Sequence, residues 1–261
     1  MEQEKFKLPD NYKLVWSEDF TKPLDTDFWL IPDCPRRGGY WSPGQVIIEN
    51  EKLVIRTEYV NGGDQRGYHT GCLIWKNLRA TYGYYEIRCK LQNTKGEWPA
   101  FWLMPDSLKG KNADVGCEID IFENAIPYRI QNALHWNSYH SQKKNRHTAD
   151  DLYEGFHTFA LDWKKDSLRF YYDNKLLWEV SDPKLISHTP VKLEISTEIN
   201  GRIHKGNTPK PGRLFWIGNG IISDQGNKLP SDFIVDYVKV YDNGELSFSD
   251  SNFVSFDGYI K

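Results

Sequence analysis

The segment GCEIDIFENA, which begins at residue 116, places three carboxylates within six positions: Glu118, Asp120 and Glu123. Neighbouring carboxyl groups can divide acid–base chemistry, because one stays protonated as a general acid while another is ionised and acts as a nucleophile or base. Alternate side chains of a β-strand lie on the same face. Glu118 and Asp120 should therefore share a face, whereas Glu123 has the parity of the opposite one.

A one-residue β-bulge between Asp120 and Glu123 would return Glu123 to the face of the other two acids. We predict this bulge, since bulges recur beside active sites and re-aim side chains. The Cα atoms of Glu118 and Glu123 would then lie roughly 13 Å apart, and side chains leaning over Asp120 would bring the carboxyl groups closer. Separations of about 5–5.5 Å suit retaining glycosidases and about 6.5–9.5 Å suit inverting ones; the spacing alone leaves both open.

An acid-rich strand can also simply expose a polar face to water. The preceding segment GEWPAFWLMP (96–105) argues against this alternative, because it is aromatic and apolar. The chain as a whole contains ten Trp, fifteen Tyr and thirteen Phe. This aromatic content suits a protein that presents flat rings to a ligand.

Alternating apolar and polar residues predict strands along most of the chain, and no segment keeps a helical period over ten residues. The turn sequences ENEK, KKDS and YDNK separate paired alternating runs and predict hairpin tips. We therefore predict an all-β sandwich of two antiparallel sheets. No linker or repeat divides the sequence, so we expect a single domain spanning residues 1–261.

Composition excludes several classes of function. A net charge of −3 gives no general attraction to nucleic acid, and no apolar run approaches the roughly 18 residues of a membrane span. The first residues, MEQEKFKLPDNYKLVW, lack the apolar centre of a signal peptide, so the protein is either intracellular or has had its leader removed. The cysteines have no Cys-x-x-Cys spacing, and we expect buried free thiols at Cys34, Cys72, Cys89 and Cys117.

The segment EIDIFE resembles the Glu-x-Asp-x-x-Glu signature of family 16 glycoside hydrolases. Further segments resemble other strands of that family in the same order: LVWSEDF, YGYYEIRCKLQ, EWPAFWLMP, GFHTFALDWKKDSLRFYYDNK and FIVDYVKVYD. Together they cover most of residues 12–242. The longer, bulged signature is typical of the laminarinase and agarase branch, whereas lichenases and xyloglucan-active members have a form one residue shorter.

The resemblance implies a concanavalin A-like β-jelly-roll of two curved antiparallel sheets, with an open concave cleft and retaining double-displacement chemistry. Glu118 would be the nucleophile, Glu123 the general acid and then the base, and Asp120 would hydrogen-bond the nucleophile and hold its charge state. No cofactor is required. By the same resemblance Asp236 would hold a structural calcium on the convex side; the alternative is a surface Asp that binds nothing.

The resemblance also implies a substrate-binding set around the acids. Trp98 would stack on a sugar, His135 would face the cleft near the acid/base, and Trp102 is either core or a second sugar platform. The remaining predicted residues are Arg37, Tyr40 and Trp41 in CPRRGGYW, with Glu198 and Asn200 in STEING. Both segments depart from the laminarinase pattern, because Gly-Gly replaces asparagines in one and polar residues replace an apolar, glycine-rich stretch in the other.

Three hypotheses for function follow. The first is an endo-acting β-1,3-glucanase or mixed-linkage β-1,3/1,4-glucanase, and the second keeps the chemistry but acts on agarose, porphyran, a related galactan or a host glycan. A sulfated substrate would need a basic cleft, to which Arg36, Arg37 and Lys205 could contribute. The third, a non-catalytic carbohydrate-binding protein, is opposed by the presence of all three acids.

We expect a monomer whose partner is a polysaccharide. Because polymers do not enter cells intact, we also expect an extracellular or periplasmic location.

Overall fold

The computed structural model describes residues 7–60, 67–200 and 229–250. Lys205 of the predicted basic cleft lies outside these ranges. Within them the chain forms twenty strands and three single-turn 3-10 helices. In chain order the strands are β1 (Lys13–Glu18), β2 (Trp29–Leu30), β3 (Cys34–Arg36), β4 (Gly39–Trp41), β5 (Val46–Glu49), β6 (Lys52–Val60), β7 (Gly67–Thr70), β8 (Cys72–Trp75), β9 (Leu78–Thr81), β10 (Gly83–Lys90), β11 (Glu97–Pro105), β12 (Glu118–Ile126), β13 (Arg129–Trp136), β14 (Ser141–Thr148), β15 (His157–Trp163), β16 (Leu168–Tyr172), β17 (Lys175–Val180), β18 (Val191–Ile199), β19 (Ser231–Asp242) and β20 (Ser247–Asp250). The 3-10 helices are Pro43–Gln45, Ala113–Val115 and Pro183–Leu185.

Two large sheets account for these strands. The front sheet has the order β14-β13-β12-β11-β18-β8-β2, with β9 joining β18 to β20. The back sheet has the order β17-β16-β15-β10-β19-β6-β7-β4-β3, with β1 on β19 and β5 on β6. Neighbouring strands are antiparallel except β4 and β7, which pair in parallel. The predicted all-β sandwich is confirmed, with this one parallel pair as a departure.

The main hydrophobic core lies between the two sheets. Phe122 of the front sheet stacks on Phe159 of the back sheet with ring centroids 4.0 Å apart, and it meets Phe233 edge to face at 6.2 Å. All three rings are fully buried. Burial of one such side chain contributes about 1.5–3 kcal/mol, so contacts of this kind hold the front sheet, and the acids on β12, against the back sheet.

The predicted hairpin tips are confirmed. Asn50 and Glu51 have φ of 51° and 55° between β5 and β6, and Asp173 and Asn174 have φ of 44° and 63° between β16 and β17. Two consecutive left-handed residues match the right-handed twist of the flanking strands. The third tip is closed by the Lys164 amide, which donates to the Ser167 carbonyl at 2.8 Å.

The four cysteines are unpaired. Cys72, Cys89 and Cys117 are buried, and burial raises the pKa of each of these thiols well above its usual value. Cys34 is only half-buried, unlike the prediction.

Among the described residues, no helix is long and apolar enough to cross a membrane.

Candidate active site

The predicted bulge on β12 is present at Ile121. Against β11, Phe122 lies opposite Phe101 and Asp120 lies opposite Trp102, so Ile121 has no partner of its own. The register to β13 shifts at the same place, between Asp120 and Glu123. Ile121 and Phe122 both point into the core. As a result Glu118, Asp120 and Glu123 line one cavity on the front sheet.

Glu118 is held by a tyrosine from the neighbouring hairpin. The Tyr139 hydroxyl donates to Glu118 Oε2 at 2.6 Å. Burial raises the pKa of Glu118 to about 7, and the charge of Glu123 acts in the same direction. The Tyr139 hydrogen bond and the charge of Arg36 act in the opposite direction and lower this pKa. This carboxyl group therefore changes charge near neutral pH.

Glu123 is held by a glutamine from the neighbouring strand. Gln131 on β13 donates from Nε2 to Glu123 Oε2 at 2.7 Å, and its own Oε1 accepts a hydrogen bond from Arg146 on β14 at 3.0 Å. The side chain of Trp98 on β11 lies near enough to this carboxyl group to lower its pKa. Burial raises the pKa of Glu123, while the Gln131 hydrogen bond, the charges of Lys144 and Arg37, and Trp98 lower it. The net direction is upward, as a general acid requires.

Asp120 lies between the two glutamates, but it makes no hydrogen bond to Glu118, unlike the prediction. Its Oδ2 is buried without a hydrogen bond and lies 3.5 Å from His135 Nε2. Burial, and the charges of Glu123 and Glu118, raise the pKa of Asp120 well above its usual value. Burial lowers the pKa of His135 to about 4, helped by Lys144 and Arg37, so the imidazole is neutral at neutral pH. Burial and the neighbouring carboxyl groups therefore favour the protonated form of Asp120.

Two arginines and one glutamate form the wall beside β11. Arg36 donates to Glu198 Oε1 at 2.5 Å, and Arg37 pairs with Glu198 Oε2. Arg36 also lies over the Trp41 ring at 4.8 Å, and Arg37 lies over the Trp98 ring at 4.3 Å. One buried carboxylate thus holds two guanidinium groups, and one face of Trp98 is covered by Arg37.

The Gly38-Gly39 pair allows this wall to form. The Gly38 amide donates to the Ile199 carbonyl at 3.0 Å, next to Glu198 on β18. A Cβ on Gly39 would lie 2.7 Å from Ile199 Cγ1 and 3.0 Å from the Tyr68 carbonyl oxygen. Only a residue without a side chain permits this approach, which brings Arg36 and Arg37 onto β18.

Comparison with known proteins decides the family. The sequence model of glycosyl hydrolases family 16 matches residues 37–213, more than half of the chain. This chain belongs to glycosyl hydrolase family 16. It is therefore a glycoside hydrolase, and the predicted family and enzyme class are confirmed.

Relatives and solved structures agree with this membership. A beta-glucanase of Rhodothermus marinus is 26% identical over 88% of this chain and 85% of its own length. A keratan-sulfate endo-1,4-beta-galactosidase of Sphingobacterium multivorum is 27% identical over 88% of this chain, which spans only 55% of that relative. SCLam, a solved non-specific endo-beta-1,3(4)-glucanase of family GH16, has a TM-score of 0.68 at 29% identity, covering 92% of this chain and 94% of its own.

The cavity is lined by many, but not all, of the residues that the sequence predicted for catalysis and substrate binding. Among its lining residues are Arg37, Trp98, Trp102, Glu198 and the three acids. Trp102 is mostly buried, with its N–H donating to Ser196 Oγ at 3.1 Å. Trp41 is fully buried and donates to the Thr197 carbonyl at 2.8 Å, which argues against the predicted sugar contact and gives it a supporting place beneath Arg36.

Tyr40 and Asn200 lie outside the residues that line this cavity. The Tyr40 ring faces His69 with centroids 5.4 Å apart. The Asn200 backbone amide donates to the Gly96 carbonyl at 2.7 Å.

The sequence did not reveal two residues that contact the acids, Gln131 and Tyr139. Gln131 has the same parity as His135 on β13 and could have been found, whereas Tyr139 sits in a turn without periodicity.

The predicted calcium at Asp236 does not fit its surroundings. Lys52 Nζ lies 2.6 Å from Asp236 Oδ1, and Arg88 contacts Oδ2. Two cations already balance this carboxylate, so it lacks the charge to attract a third.

Within the described ranges, one group of side chains is close enough to hold a metal ion: oxygen or nitrogen atoms of Glu118, Asp120 and His135 lie within 4.8 Å of one another. Carboxylate chemistry at these residues requires no metal.

Proposed function

We propose that this family 16 chain is a retaining, endo-acting hydrolase in which Glu118 is the nucleophile and Glu123 the general acid/base. The observation that carries the proposal is the bulge at Ile121, which places three acids in one cavity, where Glu118 and Glu123 have different hydrogen-bond partners. The single domain spanning residues 1–261, a monomeric state and an extracellular or periplasmic location remain parts of the same proposal.

In the first step, Glu118 attacks the anomeric carbon of the sugar and displaces the leaving oxygen. Glu123 donates its proton to that oxygen as the bond breaks, which gives a glycosyl ester on Glu118. Gln131 on β13 holds the Glu123 carboxyl group by a hydrogen bond, so the neighbouring strand sets its direction.

In the second step, Glu123 takes a proton from water, and the water oxygen attacks the anomeric carbon. The ester bond breaks and its electron pair returns to the Glu118 carboxylate, so the configuration is retained. Asp120 remains protonated through both steps, because its ionised form would be buried and would repel whichever glutamate is ionised at that stage. It thereby limits the negative charge in the cavity.

The favoured substrate is a β-1,3-glucan such as laminarin, or a mixed-linkage β-1,3/1,4-glucan. Support comes from SCLam, which is described as an endo-beta-1,3(4)-glucanase, and from the relative named beta-glucanase. A galactan, such as agarose, porphyran or a host glycan, is the second candidate. It is favoured by the keratan-sulfate galactosidase relative and by the Arg36–Glu198–Arg37 wall beside the acids.

The experiment is a reducing-sugar screen of laminarin, barley β-glucan, agarose, porphyran, carrageenan and keratan sulfate. On the substrate that is cleaved, Glu123→Gln should reduce kcat by about 10²–10⁴-fold, and Glu118→Gln should abolish turnover. Glu86→Gln, on the back sheet, is the control. NMR should detect the β-anomer as the first product. Near-wild-type turnover by either cavity variant, or an initial α-anomer, would refute the assignment.

A further inference from the structure

We propose that Tyr139 is a positioning residue for the nucleophile: its hydroxyl occupies one oxygen of Glu118 and leaves the other free to attack. The inference rests on the proposed role of Glu118 and adds a residue to that mechanism. Three observations carry it, namely the backbone of the β13–β14 turn, the contact with Glu118 and the exposure of the Tyr139 ring.

The turn that carries Tyr139 has an unusual backbone. Asn137, Ser138 and Tyr139 have φ of 55°, 53° and 65°, a left-handed conformation that residues other than glycine rarely adopt in succession. Such conformations persist where the surrounding structure imposes them, and they cluster at functional sites. Here the Asn137 amide donates to the Gly110 carbonyl at 3.1 Å and the Ser138 amide to the Leu108 carbonyl at 2.7 Å.

The turn delivers the hydroxyl to Glu118. The distance of 2.6 Å from Tyr139 to Glu118 Oε2 is that of a charge-assisted hydrogen bond. The ring leans on His135 with centroids 5.7 Å apart, yet 39% of the residue is exposed, so core packing does not account for its position. Glu118 Oε1 has no hydrogen-bond partner among the described residues. That oxygen is the one available to the sugar.

The hydrogen bond has different effects on the two chemical steps. When Oε1 attacks, the carboxylate loses its negative charge and Oε2 becomes the carbonyl oxygen of the ester, which weakens the bond from Tyr139. When the ester breaks, negative charge returns to both oxygens, and a donor already aimed at Oε2 stabilises it. Tyr139 keeps its proton throughout, because burial and Glu118 raise the pKa of the phenol. It should therefore assist ester breakdown more than ester formation.

Several charged groups act on Glu118 in addition to the neutral Tyr139 hydroxyl. Glu123 and Asp120 lie on the same strand, Arg36 approaches from β3, Arg37 from the next position in the chain, and Glu194 from β18. His135 on β13 is neutral at neutral pH and adds no charge. Removal of only the phenolic hydroxyl leaves all these groups in place, so the effect of Tyr139 can be separated from theirs.

The test compares Tyr139→Phe with the wild type, and Tyr128→Phe is the control because it removes a hydroxyl from another exposed turn. The Glu118 carboxyl carbon is assigned with Glu118→Gln and titrated by ¹³C NMR in the free enzyme. Tyr139→Phe should raise its midpoint by about one pH unit, as loss of a hydrogen bond to a charged group predicts. Tyr128→Phe should leave it unchanged. An unshifted Glu118 midpoint in folded Tyr139→Phe would overturn the inference.

Two further measurements complete the test. In the wild type, the ¹³Cζ resonance of Tyr139 should titrate with the midpoint of Glu118, and a flat resonance would overturn the inference even if Tyr139→Phe did not fold. With a cleaved glycan, mass spectrometry should show more glycosyl-enzyme in Tyr139→Phe than in the wild type. Because both titrations need no substrate, failure of the proposed catalytic function would be seen separately, as absence of turnover in the wild type.

Discussion

Ile121 and Phe122 are adjacent in the chain, yet both side chains are fully buried in the core between the two sheets. Strict alternation would send one of them to the cavity. The extra residue instead leaves the cavity face to the acids, and it makes the spacing between Asp120 and Glu123 compatible with a shared site.

Deletion of Ile121 should therefore be better tolerated than insertion of an alanine after it. Deletion restores regular pairing between β11 and β12 and keeps Glu123 on the face of Glu118, whereas insertion turns Glu123 towards the core. We expect a folded deletion variant with measurable activity and an inactive or unfolded insertion variant. Circular dichroism and reducing-sugar release would check this. Equal loss in both variants would contradict the role assigned to the bulge.

Alternation predicted the strands and a bulge between Asp120 and Glu123, and the turn residues predicted the hairpin tips, because each depends on residues close in sequence. The Arg36 and Arg37 contacts with Glu198 depend instead on segments about 160 residues apart. The burial of Trp41 has the same origin, since its cover comes from β18. Such contacts follow from how the sheets pair, which local periodicity does not encode.

Gly39→Ala should disturb the arginine wall. The added Cβ would meet Ile199 and the Tyr68 carbonyl oxygen, so the strand carrying Arg36 and Arg37 must move away from β18. We expect destabilisation of about 1–3 kcal/mol and a higher KM. Gly44→Ala is a matched control, because its nearest atom is Ser42 Oγ at 4.0 Å. Denaturant unfolding and steady-state kinetics would measure both effects; similar behaviour of the two variants would contradict the close approach at Gly39.

The two arginines should differ in their contributions. The Arg36 side chain is 15% exposed and that of Arg37 is 42% exposed, although both pair with Glu198. Arg36→Met should lower the free energy of unfolding by about 1–3 kcal/mol, because it leaves buried charge less well paired. Arg37→Met should mainly raise KM, since Arg37 covers Trp98 and faces the cavity. The reverse pattern in unfolding and kinetic measurements would contradict this division.

Gln131→Leu should shift the pH dependence of turnover. Its amide stabilises the ionised form of Glu123, so its loss raises the pKa of that acid further. A general acid works only while protonated, and the alkaline limb of kcat should therefore move to higher pH, by about one unit for one charge-assisted hydrogen bond. Gln142→Leu on exposed β14 is the control. An alkaline limb that stays in place, or moves to lower pH, would contradict the proposed role of Glu123.

Asp120→Asn should stabilise the protein above acidic pH. Burial beside Glu118 and Glu123 raises the pKa of Asp120 in the folded state, so ionisation favours the unfolded chain. Stability is therefore lost as pH rises from the pKa of the unfolded state, about 3.9, to the higher pKa of the folded state. Asparagine does not ionise, and its advantage in melting temperature should grow through that window. Thermal unfolding at pH 4 and pH 8 tests this: an advantage confined to pH 4 would show that Asp120 is stabilised by its charge.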